Sequence, residues 1–196
     1  MRVSFRFVLA LVTILALGGW SAGAEIVSTS RSSKNSLTGA EREYQLKAAF
    51  LFNFIRYTTW PAKAFEREED PIIVTIVGKD PFEEQIDKLF KGKELNGRSI
   101  VIRRSTKVPD KVDTHVVFAT GLETEDWVKL QKLFHKRSTL IVGERLDVTK
   151  KGAQCNFFIE DGKVRFEINT DNLDIAQLRM SSQLLKLARI VKNEDD

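Results

Sequence analysis

Hydrophobic side chains predominate in residues 44–61, near the start of the chain. Between residues 46 and 55 the polar exceptions are Lys47 and Asn53, so the predicted helix is apolar almost all round. Such a helix must be covered on several sides, either at the centre of a core or between two subunits. We therefore expect three of its side chains to form core or dimer seam: Phe50, Leu51 and Phe54.

The two ends of this helix are marked by local signals. Thr38 and Glu41 have the spacing of a capping box, which places the helix start near Gly39. The helix should stop before Pro61, which disfavours a helical conformation for Trp60. Trp60 then lies at the helix exit, where it either packs in the core or offers an aromatic platform to a ligand or partner.

Short apolar runs alternate with helical patterns through the middle of the chain. Residues 71–78, 100–103, 115–119 and 139–142 are typical of buried strands, and helical spacing follows residues 80 and 123. This alternation predicts an α/β fold: a three-layer sandwich with a mostly parallel sheet and helices on both faces. The loops after the strands should gather at the carboxyl edge of the sheet, the usual place for a ligand.

A C-terminal antiparallel hairpin is predicted around Asp161 and Gly162, a dipeptide that favours a type I′ turn. The alternation gives it one apolar face, made of Cys155, Phe157, Ile159, Val164, Phe166 and Ile168. The other face carries Asn156, Phe158, Glu160, Lys163, Arg165 and Glu167. Cys155 is thus expected to be a buried, unreactive thiol.

Residues 173–191 should close the domain with a final helix that Ser181 caps. On that helix Lys186 and Arg189 would be three residues apart and share a face. Both are candidates for binding a partner or a ligand, although long cations most often line a solvated surface.

The chain begins like a secretory signal, with Arg2 and Arg6 ahead of an apolar run and a small-residue cleavage site ending at Ala24. We therefore expect residues 1–24 to be cleaved and the mature protein to lie in the periplasm. Residues 25–40 predict a flexible lead-in, residues 41–192 one α/β domain, and residues 193–196 an acidic tail. The full chain has a formal charge of +4, and loss of the two leader arginines leaves +2.

The net charge is small and the basic residues are interleaved with acidic ones, which argues against a nucleic-acid partner. The sequence also contains no motif that specifies a reaction. Two histidines and one cysteine, none at ligand spacing, predict no metal site, and we expect no cofactor and no catalytic residue. Residues 92–99 mimic a phosphate-binding loop, but they leave a predicted helix and enter a strand, the reverse of what that loop requires.

Several blocks, taken in order, resemble the YfiR family of exported bacterial regulators. They are residues 44–54 (YQLKAAFLFNF), 60–62 (WPA), 78 with 80–82 (G, DPF), 96–98 (NGR), 156–157 (NF), 160–169 (EDGKVRFEIN) and 181–191 (SSQLLKLARIV). The resemblance covers most of the chain after the leader. This sequence departs from better-known members in lacking paired cysteines, so a disulfide within one chain is excluded.

The resemblance implies a periplasmic α/β protein, often dimeric, that represses a membrane-bound diguanylate cyclase by contacting its periplasmic region. It also implies an OmpA-like outer-membrane lipoprotein as a sequestering partner, a small-molecule ligand, and an effect on biofilm through cyclic di-GMP. The alternative is a solute-binding protein for an aromatic or nucleotide-like molecule. The candidate binding residues for either role are Arg56, Tyr57, Trp60, Phe158, Arg165, Glu167, Lys186 and Arg189.

Overall fold

The middle layer of the fold is an eight-stranded sheet. The structure is a computed structural model, and it describes residues 37–111 and 113–193. The strands are β1 Thr58–Thr59, β2 Ile72–Gly78, β3 Glu94–Leu95, β4 Arg98–Ser105, β5 Val116–Thr120, β6 Leu140–Gly143, β7 Cys155–Glu160, β8 Lys163–Asn169, β9 Arg179–Met180 and β10 Arg189–Val191. The large sheet has the order β10-β8-β7-β6-β5-β2-β4-β3, while β1 and β9 pair separately.

Five α-helices are present in the described residues: α1 Gly39–Arg56, α2 Glu84–Phe90, α3 Thr124–Phe134, α4 Thr170–Ile175 and α5 Ser182–Leu185. The neighbouring strands β4, β2, β5, β6 and β7 run parallel, whereas β7 and β8 form an antiparallel hairpin. This architecture confirms the predicted α/β sandwich. Among the described residues, no helix combines the length and hydrophobicity that crossing a bilayer requires.

Two separate cores lie on the two faces of the sheet. On the first face α1 and α2 cover β2, β5, β6 and the hairpin, with Leu51 and Phe54 fully buried. The ring of Phe54 stacks on Phe157 at 5.3 Å and meets Phe166 edge-on at 5.0 Å. On the second face Trp127 and other residues of α3 cover β5 and β6. Because both faces are covered, the central strands are apolar on both sides.

The ends of α1 agree with the local signals. The Thr38 hydroxyl accepts a hydrogen bond from Glu41 N at 3.2 Å, and the Glu41 carboxylate accepts one from Thr38 N at 2.6 Å. The helix ends at Arg56, four residues before Trp60. The chain is held there by Ser181, whose N–H donates to Tyr57 O at 2.9 Å.

Two predicted helices were placed wrongly. The pattern at residues 80–83 suggested that α2 begins at Pro81, but Asp80 instead accepts a hydrogen bond from Phe82 N in a tight turn, and α2 begins at Glu84. The predicted final helix is only the short α5, which Ser181 caps, and the chain then becomes strand β10. Parallel pairing with β8 satisfies the backbone of Arg189 and its neighbours, which a helix would have satisfied internally.

The hairpin register is as predicted, with Asp161 and Gly162 both at positive φ (51° and 69°). The separation of its faces is only partly right. Glu167 and Asn156, assigned to the outer face, are buried, because the segment between β6 and β7 folds over them. Ile159, assigned to the core face, is 51% exposed because it lies beyond the end of β6.

The predictions made for both termini lie mostly outside the described residues. The leader, the lead-in up to residue 36, and residues 194–196 fall there. Residues 39 and 40 of the expected lead-in already belong to α1. Asn193, assigned to the tail, is tied to the domain because its N–H donates to Asp171 Oδ2 at 2.7 Å.

Candidate functional site

The first group of candidate residues lies where α1 ends, and we call Arg56, Tyr57 and Trp60 the exit corner. Arg56 is exposed, and its Cζ atom lies 5.6 Å from the centre of the Tyr57 ring. Trp60 is half-buried and packs against the first core. Its Nε1–H is buried without an acceptor among the described residues. The Trp60 ring therefore packs against the core, and its role as a platform for a ligand or partner stays a prediction.

A cavity of about 420 Å³ opens beside the exit corner. Its lining includes Arg56, Trp60, Phe65, Leu95 and Arg98. The guanidinium of Arg98 lies 3.7 Å from the centre of the Phe65 ring and donates to Asp70 O at 2.7 Å. Two cations and two aromatic rings thus surround one opening, a combination suited to a flat anionic molecule.

His115 packs against Phe65, one of the residues that line this cavity. Its ring stacks on Phe65 with centroids 4.4 Å apart. Its Nδ1 atom accepts from Ile73 N at 3.1 Å, so Nε2 is the nitrogen placed to donate to Ala64 O at 3.0 Å. Burial lowers the pKa of His115, and the neutral ring matches this pattern of one acceptor and one donor. His115 therefore has a structural part in this arrangement.

The second group lies on the hairpin, and we call Phe158, Arg165, Glu167 and Arg189 the hairpin patch. Register brings it together: Phe158 is opposite Arg165, and Arg189 is opposite Glu167. Arg189 donates twice to Glu167 Oε2, at 3.1 and 2.6 Å, and its Cζ atom lies 3.8 Å from the centre of the Phe158 ring. The patch is on the sheet face opposite α1, where β6 has already ended.

Glu167 anchors this patch from below. Thr149 Oγ1 donates to its Oε1 atom at 2.8 Å, and Asn156 Nδ2 does so at 3.3 Å. Burial raises the pKa of Glu167, but the hydrogen bonds from Arg189, Thr149 and Asn156 outweigh it and hold that pKa below its usual value. The carboxylate is thus ionised and orients Arg189, whose side chain remains 53% exposed.

Arg165 and Lys186 make fewer contacts than the other candidate residues. Arg165 pairs with Glu160 at 3.8 Å, and both side chains are exposed. Lys186 is an exposed residue at the end of α5 and, among the described residues, has no ion pair with the patch. The prediction that Lys186 and Arg189 share a helix face is wrong, because Arg189 belongs to β10. The two groups of candidates remain separate, one at the exit corner and the other on the hairpin.

Sequence reasoning missed an ionic network at the carboxyl edge of the sheet. Lys47 is 4% exposed and donates to Glu43 at 2.5 Å and to Glu144 at 2.8 Å. Thr120 and Tyr44 also donate to Glu144. Burial lowers the pKa of Lys47, but its bonds to the two carboxylates outweigh burial and raise it. A lone cation in an apolar helix was the signal that an acidic partner existed elsewhere.

Both groups of candidate residues lie within a stretch that resembles a known protein family. A model of the YfiR/HmsC-like family matches residues 44–189, from the first turns of α1 to the arginine of the hairpin patch. The chain belongs to the YfiR/HmsC-like family. This family is one of periplasmic regulators rather than enzymes, and its members act through membrane partners. No curated protein matches the chain.

Proposed function

We propose that this YfiR/HmsC-like protein represses an inner-membrane diguanylate cyclase by binding the cyclase's periplasmic region. Repression lowers cyclic di-GMP and with it the output of biofilm or exopolysaccharide. The observation that supports this role is the hairpin patch, where Glu167 orients a half-exposed Arg189 against Phe158. An oriented arginine beside an aromatic ring is a common centre of a protein interface.

Deletion and complementation test this proposal. Deleting the gene should raise cellular cyclic di-GMP, and the wild-type gene should lower it again. Arg189→Ala should fail to lower it and should lose capture of the cyclase's periplasmic region. The control is Lys132→Ala on α3, an exposed cation outside the patch, which should behave as wild type. Unchanged nucleotide levels after deletion, together with no capture of the cyclase, would contradict the proposed function.

Two further partners belong to the same proposal. An OmpA-like outer-membrane lipoprotein sequesters the protein and relieves repression. A second copy forms a homodimer at the hydrophobic surface of α1, where Leu46 is 44% exposed and Phe50 is half-buried. Phe50 packs on Phe166 at 5.2 Å, whereas Leu51 and Phe54 are fully buried core residues.

Substitutions on this helix test the homodimer. Phe50→Asp should unfold or dissociate the protein because it buries an unpaired charge. Leu46→Asp, at the more exposed position, should dissociate the dimer with little change in melting temperature. Light scattering and thermal melting measure the two effects separately. A folded Phe50→Asp dimer with wild-type melting would contradict this assignment.

A second candidate function is binding of an aromatic or nucleotide-like small molecule at the exit corner. The buried Nε1–H of Trp60, which lacks an acceptor among the described residues, and the adjacent arginines support it. Adenosine monophosphate and phenyl phosphate should raise the melting temperature of the wild-type protein, and Trp60→Phe should reduce that rise. Inorganic phosphate serves as the control for charge alone. Equal shifts in both proteins would rule out Trp60 as a contact.

A further inference from the structure

The outer edge of β4 is open over most of its length. On its inner side β4 pairs with β2 from Ile100 to Ser105. On its outer side β3 pairs only with Arg98 and Ser99. Gly92, at a φ of 68°, belongs to the segment that leads from α2 into this short strand. From Ile100 onward, no other strand in the described part of the chain covers the edge.

The hairpin geometry shows which backbone groups point outward. Asn96 and Gly97 form a two-residue turn between β3 and β4, so Leu95 and Arg98 are its hydrogen-bonded pair. Because N–H and C=O groups alternate sides along a strand, those of Ile100 and Ile102 also face outward, as do those of Arg104. The pairing of Glu94 with Ser99 places Lys93 O opposite the N–H of Ile100, so that donor is covered by the start of β3. For the outward groups of Ile102 and Arg104, residues 37–111 and 113–193 supply no backbone or side-chain partner.

A groove runs between this edge and α2. It has a volume of about 450 Å³ and is lined by Phe90, Ile100 and Ile102 together with charged residues of α2. Ile100 and Ile102 are only partly buried, and both pack against the first core from this side. An apolar floor beside an open strand edge is the arrangement in which a peptide adds as a further strand.

The charged side chains around the groove indicate which kind of partner segment it can bind. Natural strand edges are usually protected by charged side chains. The cations of β4 are already engaged, since Arg103 pairs with Asp113 and Arg104 pairs with Asp80 and Asp87. Lys91, at the end of α2, lines the groove and forms no ion pair among the described residues. It is therefore available to a carboxylate.

We propose that the open edge of β4 binds an extended segment of a partner protein by strand addition. The segment has apolar side chains at alternating positions, which enter the groove over Ile100 and Ile102, and an acidic side chain near Lys91. Its backbone bonds to the outward groups of Ile102 and Arg104. This surface is separate from the hairpin patch at the opposite end of the sheet.

Amide hydrogen exchange tests the proposal with a synthetic peptide, acetyl-Glu-Val-Thr-Val-Thr-Val-Glu-amide. In the free protein, the amides of Ile102 and Arg104 should exchange quickly, while those of Val101 and Arg103 are protected by β2. Adding the peptide should slow the two outward amides by about tenfold or more and leave the inward ones unchanged. A peptide with lysine in place of both glutamates should protect them less.

Two variants keep the test independent of folding. Ile102→Pro removes one outward donor and should abolish peptide binding without touching a bond to β2. If it fails to fold, Ile100→Lys blocks the same groove with the backbone intact. Val128→Lys on α3, another exposed apolar position, is the control and should bind normally.

Two outcomes would overturn this inference. One is an absence of alternating protection when the peptide is added. The other is protection that grows with protein concentration without peptide, which would assign the edge to a second copy. Neither outcome bears on Arg189, so a failure here is distinguishable from a failure of the proposed repression.

Discussion

Two ionic clusters in the described part of the chain have buried members and differ in how much of each cluster is exposed to solvent. In the α1 cluster, the side chains of Lys47 and Glu144 are 5% and 12% exposed, so both partners are inside the fold. In the hairpin cluster, Glu167 is 8% exposed but Arg189 is 53% exposed. The first cluster fastens α1 to the end of β6, whereas the second holds one charge in the interior and presents the other outside. Burial of both partners indicates a structural role, and burial of one leaves the other available for binding.

The largest effect is expected from Lys47→Met. Removing the cation leaves Glu144 buried with only the hydroxyl donors of Thr120 and Tyr44, so the free energy of unfolding should fall by about 3 kcal/mol. Urea denaturation measures this loss. Lys88→Met removes an exposed pair with Glu84 and should stay within about 0.5 kcal/mol of wild type. Similar losses in both variants would remove the distinction between a buried and an exposed pair.

A smaller effect is expected from Arg189→Ala. Glu167 keeps its bonds from Thr149 and Asn156, and the lost pair is partly screened by solvent, so the loss should be about 1 kcal/mol. Arg165→Ala breaks only the exposed contact with Glu160 and should change stability by less than about 0.5 kcal/mol. A loss for Arg189→Ala as large as that for Lys47→Met would mean that the hairpin cluster is also chiefly structural.

The loss of stability in Lys47→Met and the loss in Arg189→Ala should depend on pH in opposite directions. The pKa of Lys47 is raised above its ordinary value near 10.5, so its contribution is full below that pH and is lost as pH rises through the raised pKa. The pKa of Glu167 is lowered from about 4.5, so its contribution is present above that pH and is lost as pH falls through the lowered pKa. The gap between wild type and Lys47→Met should therefore close in alkali.

The gap in stability between wild type and Arg189→Ala should instead close in acid, and urea titrations across pH measure both gaps.

Among the remaining groups, burial lowers the pKa of His115, so its neutral form stabilises the fold above the ordinary value near 6.5. That contribution is lost as pH falls through the lowered pKa. It is common to both variants and should cancel in each difference. A gap for Lys47→Met that stays unchanged in alkali would contradict the contribution of the protonated Lys47.

Much of the fold was predictable because its signals are local. Thr38 and Glu41 start α1, Asp161 and Gly162 turn the hairpin, and continuous apolar runs mark strands buried on both faces. Each signal depends on backbone geometry or burial within a few residues. The same holds for Phe54, whose place in a helix apolar on all sides predicts a buried core position.

Tertiary structure alone decided the arrangement of the candidate sites. Residues 181–191 carry a helical pattern, but pairing with β8 makes their end a strand and brings Arg189 to Glu167. Glu144, the more buried partner of Lys47, lies 97 residues away, and no local pattern names it. The burial of Glu167 depends on Thr149 and Asn156 closing over it. Long-range pairing and packing, rather than local propensity, therefore determined which charges are buried and which remain available to a partner.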